Sequence, residues 1–167
     1  MDKEAELEKE FWKSLRHDRV AMLSLVGVED GHSQPMSAQL LEDDEEHGGT
    51  IWFFTSRDTD LAHSMGAGHR AHLHFSAKGH DLFASVHGEL LPSEDRAVID
   101  RLWNRFVAAW FEGGKEDPKL QLLRFEPDRA HVWLNENSAL AGAKLLLGRD
   151  PKKEYRHKVA DVPLGRH

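Results

Sequence analysis

Apolar residues along this chain recur mostly in short runs of strand length, and two stretches carry them at helical spacing. Leu7, Phe11 and Leu15 stand four apart with Trp12 beside them, which predicts an amphipathic helix over about 4–17 whose single stripe covers a barrel end or a partner. Val20–Val28 predicts a strand closed by the turn residues Glu29-Asp30-Gly31. Gln34–Leu41 predicts a second strand, with Pro35 near its start, where a missing N–H is tolerated. An acidic loop over Glu42–Gly49 then leads to a third strand, Thr50–Thr55, and the three predict a meander. The run Ile51-Trp-Phe-Phe-Thr55 is continuously apolar and aromatic, as in a strand buried on both faces. It ends in Thr55-Ser56, where a small helix begins near Asp58–Leu61. Backbone N–H groups flanked by hydroxyls there suit a phosphate or carboxylate, and an ordinary capped strand end has the same pattern.

Further along, Thr59–Gly68 predicts a short helix, and Ala71–Ser76 and Asp81–Leu91 predict strands. Pro92-Ser93 predicts the start of a long helix, with Ser93 as cap and Glu94 and Asp95 in its first turn. Val98, Ile99, Leu102, Trp103, Phe106, Val107 and Trp110 fall on one face of it, and Glu112–Pro118 breaks it. Strands at Leu122–Glu126 and Ala130–Leu134 follow, joined by a turn at Pro127-Asp128, then a helix at Ser138–Leu147 and a basic tail. About seven short strands with one long helix predict a mainly β (α+β) fold, a closed antiparallel barrel with flanking helices. There is no βαβ alternation and no glycine fingerprint, which argues against a Rossmann domain. The pattern predicts one domain over 1–167, with a core at about 11–135.

Composition narrows the picture. A chain of 167 residues, 40 % hydrophobic and 31 % charged, is long enough to bury its own core. The net charge of -7 disfavours non-specific nucleic-acid binding. Cysteine is absent, so there is no thiolate chemistry, and a reducing compartment fits. No apolar run approaches the ~20 residues of a membrane span, and the acidic first ten residues lack the apolar segment of a secretory signal. A cytoplasmic protein with no membrane or nucleic-acid partner is expected.

Candidate chemistry is sparse. His72-x-His74 places two imidazoles on one strand face, with His63, His69, His80 and His87 near in sequence, but the spacing fits no zinc motif and completes no ligand set for metal or haem. No serine sits in a nucleophile elbow, and Gly113-Gly114 lacks the context of a phosphate loop, so no catalytic residue is named. Trp103 fits the core. Trp110-Phe111, at the helix end before a Gly-Gly loop, suits either a planar ligand or a subunit interface.

Several segments occur together in order: Arg19-Val-Ala-Met-Leu, Gln34-Pro-Met, Trp52-Phe-Phe-Thr-Ser, Leu102-Trp-Asn-Arg-Phe-Val-Ala-Ala-Trp-Phe, Gly113-Gly-Lys-Glu-Asp-Pro and Leu123-Arg-Phe-Glu-Pro with Val132-Trp. This set resembles the general stress protein 26 group of the pyridoxamine 5'-phosphate oxidase-like superfamily, over about Phe11 to Gly148. The Trp-Phe-x-Gly-Gly-Lys-x-Asp-Pro element is its specific part. The resemblance implies an FMN-binding split barrel, homodimeric, with two flavin sites across the dimer interface; FAD is the alternative flavin. It implies that Met36, Ser37 and Gln39, with Phe53, Phe54 and Thr55, hold the ring and ribityl chain, and that the turn from Ser56 through Asp60 and Leu61 holds the phosphate. Trp110 and Trp133 would approach from the neighbouring subunit. The chain departs from the pattern at Gln34, Asp60 and Leu61, where related flavin binders usually carry basic residues. Arg57, and His63 when protonated, are left to compensate. Weak flavin binding connected with stress response is therefore expected, in a flavin-dependent oxidoreductase or in a barrel that has become an interaction module. Pyridoxamine-phosphate oxidation itself would need a basic substrate-phosphate site that the sequence does not display.

Overall fold

The computed structural model describes residues 2–28, 31–41, 49–135 and 159–165. The helix expected at Ser138–Leu147 and most of the acidic loop lie outside the described residues. Helix α1 (Lys3–Asp18) is capped by Asp2, whose carboxylate accepts the Ala5 N–H, and it buries Leu7, Phe11, Trp12 and Leu15. It packs chiefly on two C-terminal strands and closes the core, with Phe11 edge-on to Phe75 at 6.4 Å. The predicted stripe is thus a lid.

One antiparallel sheet follows from β1 (Val20–Leu25), β2 (Gln34–Ser37), β3 (Ile51–Ser56), β4 (His69–Ser76), β5 (Leu82–Ser93), β6 (Leu120–Leu134) and β7 (Val159–Pro163). Its spatial order is β2-β1-β4-β5-β6-β3, with β7 also on β6. The expected meander is corrected: β1 and β2 form a hairpin, but β3 crosses to pair with β6 from Ile51↔Phe125 to Ser56↔Leu120. The reason lies in its composition. Ile51 and Phe53 enter the main core while Trp52 and Phe54 pack with the helical segment after β5, so β3 must sit between two layers.

The expected closed barrel is corrected as well: the sheet is curved but not closed. Among the described residues its end strands β2 and β3 meet only at the isolated bridge Gln39↔Trp52. The split barrel implied by the resemblance is the architecture found.

Three boundaries differ from the sequence pattern. Pro92 and Ser93 stay in β5, which outruns β4 there, so the proline lies where one strand edge is uncovered. The long helix is two short ones, α3 (Arg96–Leu102), capped by Asp95 rather than Ser93, and α4 (Arg105–Ala108). Asn104 divides them, because its side chain accepts the N–H groups of Phe106 and Val107 and starts a new helix. The single apolar face is thereby broken, leaving Phe106 and Trp110 exposed at 71 % and 84 %. The expected turn at Pro127-Asp128 is a bulge in one continuous strand, β6. Asp128 is the extra residue, tied by Arg70 at 2.5 Å and by the Leu164 N–H at 3.0 Å. Gly88 faces it so closely that a Cβ there would lie 2.4 Å from the Glu126 carbonyl oxygen. β7, unforeseen in the tail, adds Val162 to the core, and Leu164 just after it is buried there too.

Candidate functional site

The parity of the edge strands decides what the split offers. Successive residues of an antiparallel strand turn their backbone groups to opposite edges. Trp52 exchanges both hydrogen bonds with Gln39, at 2.8 and 2.9 Å, while the Arg57 N–H donates to the Lys119 carbonyl beyond β6. Phe54 and Ser56 therefore share the orientation of Trp52, toward the split. On β2 the Ala38 N–H donates back to Arg19, so Ser37 and Pro35 face the split with Gln39. Continued past the bridge, the register would set Ser37 against Phe54 and Pro35 against Ser56, but no pairing forms there. Two edge strands diverge and leave main-chain donors and acceptors facing one gap.

The sequence-predicted residues fall into place around this gap. Met36 and Phe53 point into the core, and the ring of Phe53 is fully sealed. Gln39 is buried; its amide donates to Ser37 Oγ at 3.4 Å and accepts from Arg19 at 3.4 Å. Phe54 is half-buried, edge-on to Trp103 at 6.1 Å, and Thr55 is buried. The Trp52 Nε1–H is buried with no hydrogen-bond partner among the described residues.

The region beside α2 is more specific. Thr59 caps the helix α2 (Asp60–Met65), accepting the Ala62 N–H at 3.2 Å. A cavity of about 220 Å³ opens beside it, lined by Gln34, Asp60 and Leu61 together with His32, His63 and Ser64. The three positions that depart from the flavin-binding pattern thus converge on one space. Among the described residues no lysine or arginine lines it, and Asp60 adds a carboxylate. Leu61 also packs into the main core, so it is half of the cavity wall and half of the barrel.

Arg57 is not brought to this cavity. Its guanidinium donates to Gln121 at 2.6 Å and to both oxygens of Glu94, and it lines a separate cavity of about 350 Å³. The Ser56 hydroxyl is committed to the Asp58 carboxylate, and that bond, foremost, holds the Asp58 carboxyl below its usual range. His32 carries no pattern of its own in the sequence. Its one sequence signal is its place two residues before Gln34.

Trp110 and Trp133 are separated from the split. Trp110 stands exposed after α4, and the loop beyond it is fixed by the Asp117 carboxylate, which accepts the N–H groups of Lys119 and Gly113, each at 2.9 Å. Those two bonds lower the Asp117 pKa, Lys119 first. A Cβ at Gly113 would lie 2.9 Å from the Asp117 Cα, and Gly114 has φ of 66°, so the Gly-Gly-x-x-Asp spacing is a turn requirement. Trp133 lies on the outer face of β6, its ring 4.3 Å from His131. Val20, Met22 and Phe83 on neighbouring strands are exposed there, and with Trp133 they border a groove of about 610 Å³. The histidine pair expected on one strand face is present: the His72 ring is 6.0 Å from His74 and 4.0 Å from His87 across the strand pair. No group of three or more metal-ligating side chains capable of holding an ion occurs among the described residues. No helix among them is long and apolar enough to cross a membrane.

Comparison with known proteins agrees with this architecture. The family model described as pyridoxamine 5'-phosphate oxidase like matches residues 6–149. General stress protein 26 of Bacillus subtilis is 29 % identical over 117 residues, 68 % of this chain and 79 % of that protein. The crystal structure of a general stress FMN/FAD binding protein from Xanthomonas citri is 56 % identical, covers 80 % of this chain and 92 % of its own, and superposes with a TM-score of 0.73. A structure described as general stress protein 26 from Jannaschia sp. is 32 % identical with a TM-score of 0.82, covering 96 % of this chain and 99 % of its own. With its split sheet, its Gly-Gly-x-x-Asp turn and these relatives, the chain belongs to the general stress protein 26 group of the pyridoxamine 5'-phosphate oxidase-like family.

Proposed function

We propose that this protein binds a flavin nucleotide, FMN in the first place and FAD as the alternative, in the split between β2 and β3. The observation that carries the reading is the pair of diverging edges, where the backbone groups of Ser37 and Phe54 and the N–H of Ser56 face a gap beside the Gln39–Trp52 bridge. A planar heterocycle edged with donors and acceptors suits such a gap, because it satisfies main-chain groups that no strand covers. The related protein from Xanthomonas citri, described as FMN/FAD binding, supports the same reading. Bound there, a flavin would supply hydride or electron transfer, and the protein would supply orientation and shielding. Ser37 and Gln39 would fix the ring edge, Phe54 its flank, and the cavity at Asp60 and Leu61 would receive the phosphate. We name no catalytic residue.

The reading includes a homodimer. Exposed Val20, Met22 and Phe83 with Trp133 make an apolar outer sheet face, and Trp110 stands 84 % exposed. A second copy would cover both and bring aromatic rings toward the partner's split.

Titration of flavin-free protein with riboflavin and FMN, read by tryptophan quenching, tests the site. Saturable quenching by both supports it. A protein that quenches with neither is a split barrel acting through its surface, the reading that a cavity without a described lysine or arginine would then favour.

A further inference from the structure

The cavity proposed to seat the flavin phosphate has no permanent cation among the described residues, yet two imidazoles reach it from different elements. His32 comes from the segment leading into β2, and His63 from α2, one turn after Asp60. Both side chains are exposed. We propose that His32 and His63, in their protonated forms, are the phosphate-recognition residues of this protein, so that it distinguishes FMN from riboflavin at mildly acidic pH and loses the distinction at alkaline pH. The inference rests on the flavin reading and deepens it.

The chemistry is that of charge complementarity. A phosphate monoester carries close to two negative charges above its second pKa of about 6, and bonds from charged donors are about twice as strong as neutral ones. Histidine is the side chain whose ordinary titration falls between about pH 5 and 8, so a seat built from imidazoles gains and loses its charge within that range. The groups that face these rings set the sign. On the α2 side they are Asp60, which lines the cavity, and Asp58, close enough to interact electrostatically with His63. On the β2 side Gln34 is neutral, and Glu29 and Asp30, earlier in the same loop, lie outside the described residues. With the rings neutral, the described lining repels a phosphate through Asp60. With both rings protonated, the described lining carries two cations against the one carboxylate of Asp60, with Asp58 beside His63 as a second carboxylate. Ser64 and Gln34 remain neutral partners in either state.

The test is the ratio of riboflavin to FMN dissociation constants at about pH 6.3 and about pH 8.5, in wild type and in a His32→Asn/His63→Asn variant. Wild type should favour FMN about tenfold more at the lower pH, as one charge-assisted contact predicts, and the variant should show a flat ratio. Circular dichroism at both pH values confirms that each form is folded. A flat ratio in wild type, or an equal rise in the variant, overturns the proposal while leaving the flavin site intact. Titration of the histidine C2 protons by NMR, with and without inorganic phosphate, covers failure of the flavin reading itself. If neither flavin binds but phosphate raises the midpoints of His32 and His63, the anion seat stands alone. If neither flavin binds and those midpoints do not move, both readings fall.

Discussion

The split and the cavity beside α2 are made of different material. Near the Gln39–Trp52 bridge the gap is lined by main chain, with Ser37 and Phe54 turned to it by strand parity, and substitution leaves that parity unchanged. The cavity at Gln34 and Leu61 is lined by side chains, among them a neutral amide, a carboxylate and a leucine at the positions where the resemblance leads us to expect basic residues. Backbone recognition survives sequence drift because it depends on the fold. Side-chain recognition can be lost or retuned one residue at a time. The ring seat and the phosphate seat are therefore expected to respond independently to mutation.

The largest effect should come from the feature that positions both ends at once. Gly88 allows β5 to pass the Asp128 bulge, and a Cβ there would meet the Glu126 carbonyl at 2.4 Å and the Pro127 Cα at 2.8 Å. Gly88→Ala should cost about 3 kcal/mol, the upper range for overpacking, and lower Tm by roughly 6–12 °C in a protein of this size. Thermal melts would read it, and an unchanged Tm would mean that the bulge moves freely. Next comes Asp60→Arg, at an exposed position on the cavity rim. It removes a repulsive charge and adds a cation, so FMN should bind about 10–100-fold tighter while riboflavin is unaffected. Leu61→Lys is a poorer version of the same test, because Leu61 is buried in the main core and lysine there sacrifices packing. Equal tightening of both flavins by Asp60→Arg would break the division between the two seats.

At the other end, Ser37→Pro removes the N–H that faces the split and leaves the pairing of β2 with β1 in place, as Pro35 already does two residues earlier. One lost hydrogen bond should weaken riboflavin and FMN alike, by about 3–10-fold. Isothermal titration of both ligands would read it. A loss confined to FMN would place the phosphate, rather than the ring, beside Ser37.

The same contrast explains what the sequence revealed. Most of the strands and the lid helix were legible, because periodicity and turn chemistry act locally, whereas Gly113-Gly114 was read only as a helix break and a loop. The meander, the closed barrel and the unbroken helix after β5 were misread. Strand order is set by which faces β3 must bury, closure by how short β2 is, and the helix break by one Asn104 side chain that competes with the backbone. Of the site, Gln34, Asp60 and Leu61 were identified as departures from a pattern, and the fold showed them converging on one cavity. His32 was not brought to this cavity by the sequence, because the segment leading into β2 and the helix α2 meet only in space. Arg57 was expected to compensate, and its pairing with Glu94 and Gln121 could not be read from its neighbours in sequence.

The smallest effect separates the binding of protons from the binding of flavin. Away from the split, His72 and His87 face each other on β4 and β5, 4.0 Å between ring centroids. Burial is the first cause lowering both pKa values. For His72 the neighbouring His87 adds to it, and for His87 the Arg129 guanidinium does. Arg70 and His74 on β4 and Arg129 on β6 face the pair as like charges, and Asp128 opposes them. A depressed imidazole pKa means that the folded state binds fewer protons than the unfolded chain. Its contribution to stability is therefore complete above the ordinary histidine value of about 6.5 and is lost as pH falls below it. Tm should be level from about pH 8 to 7 and decline gently below about 6.5, and His72→Gln/His87→Gln should flatten that decline. Flavin discrimination, proposed to be set by His32 and His63 in the cavity beside α2, should be untouched by the same double variant. If removing His72 and His87 also abolished the pH dependence of FMN binding, that dependence would belong to the stability of the barrel and not to the phosphate seat.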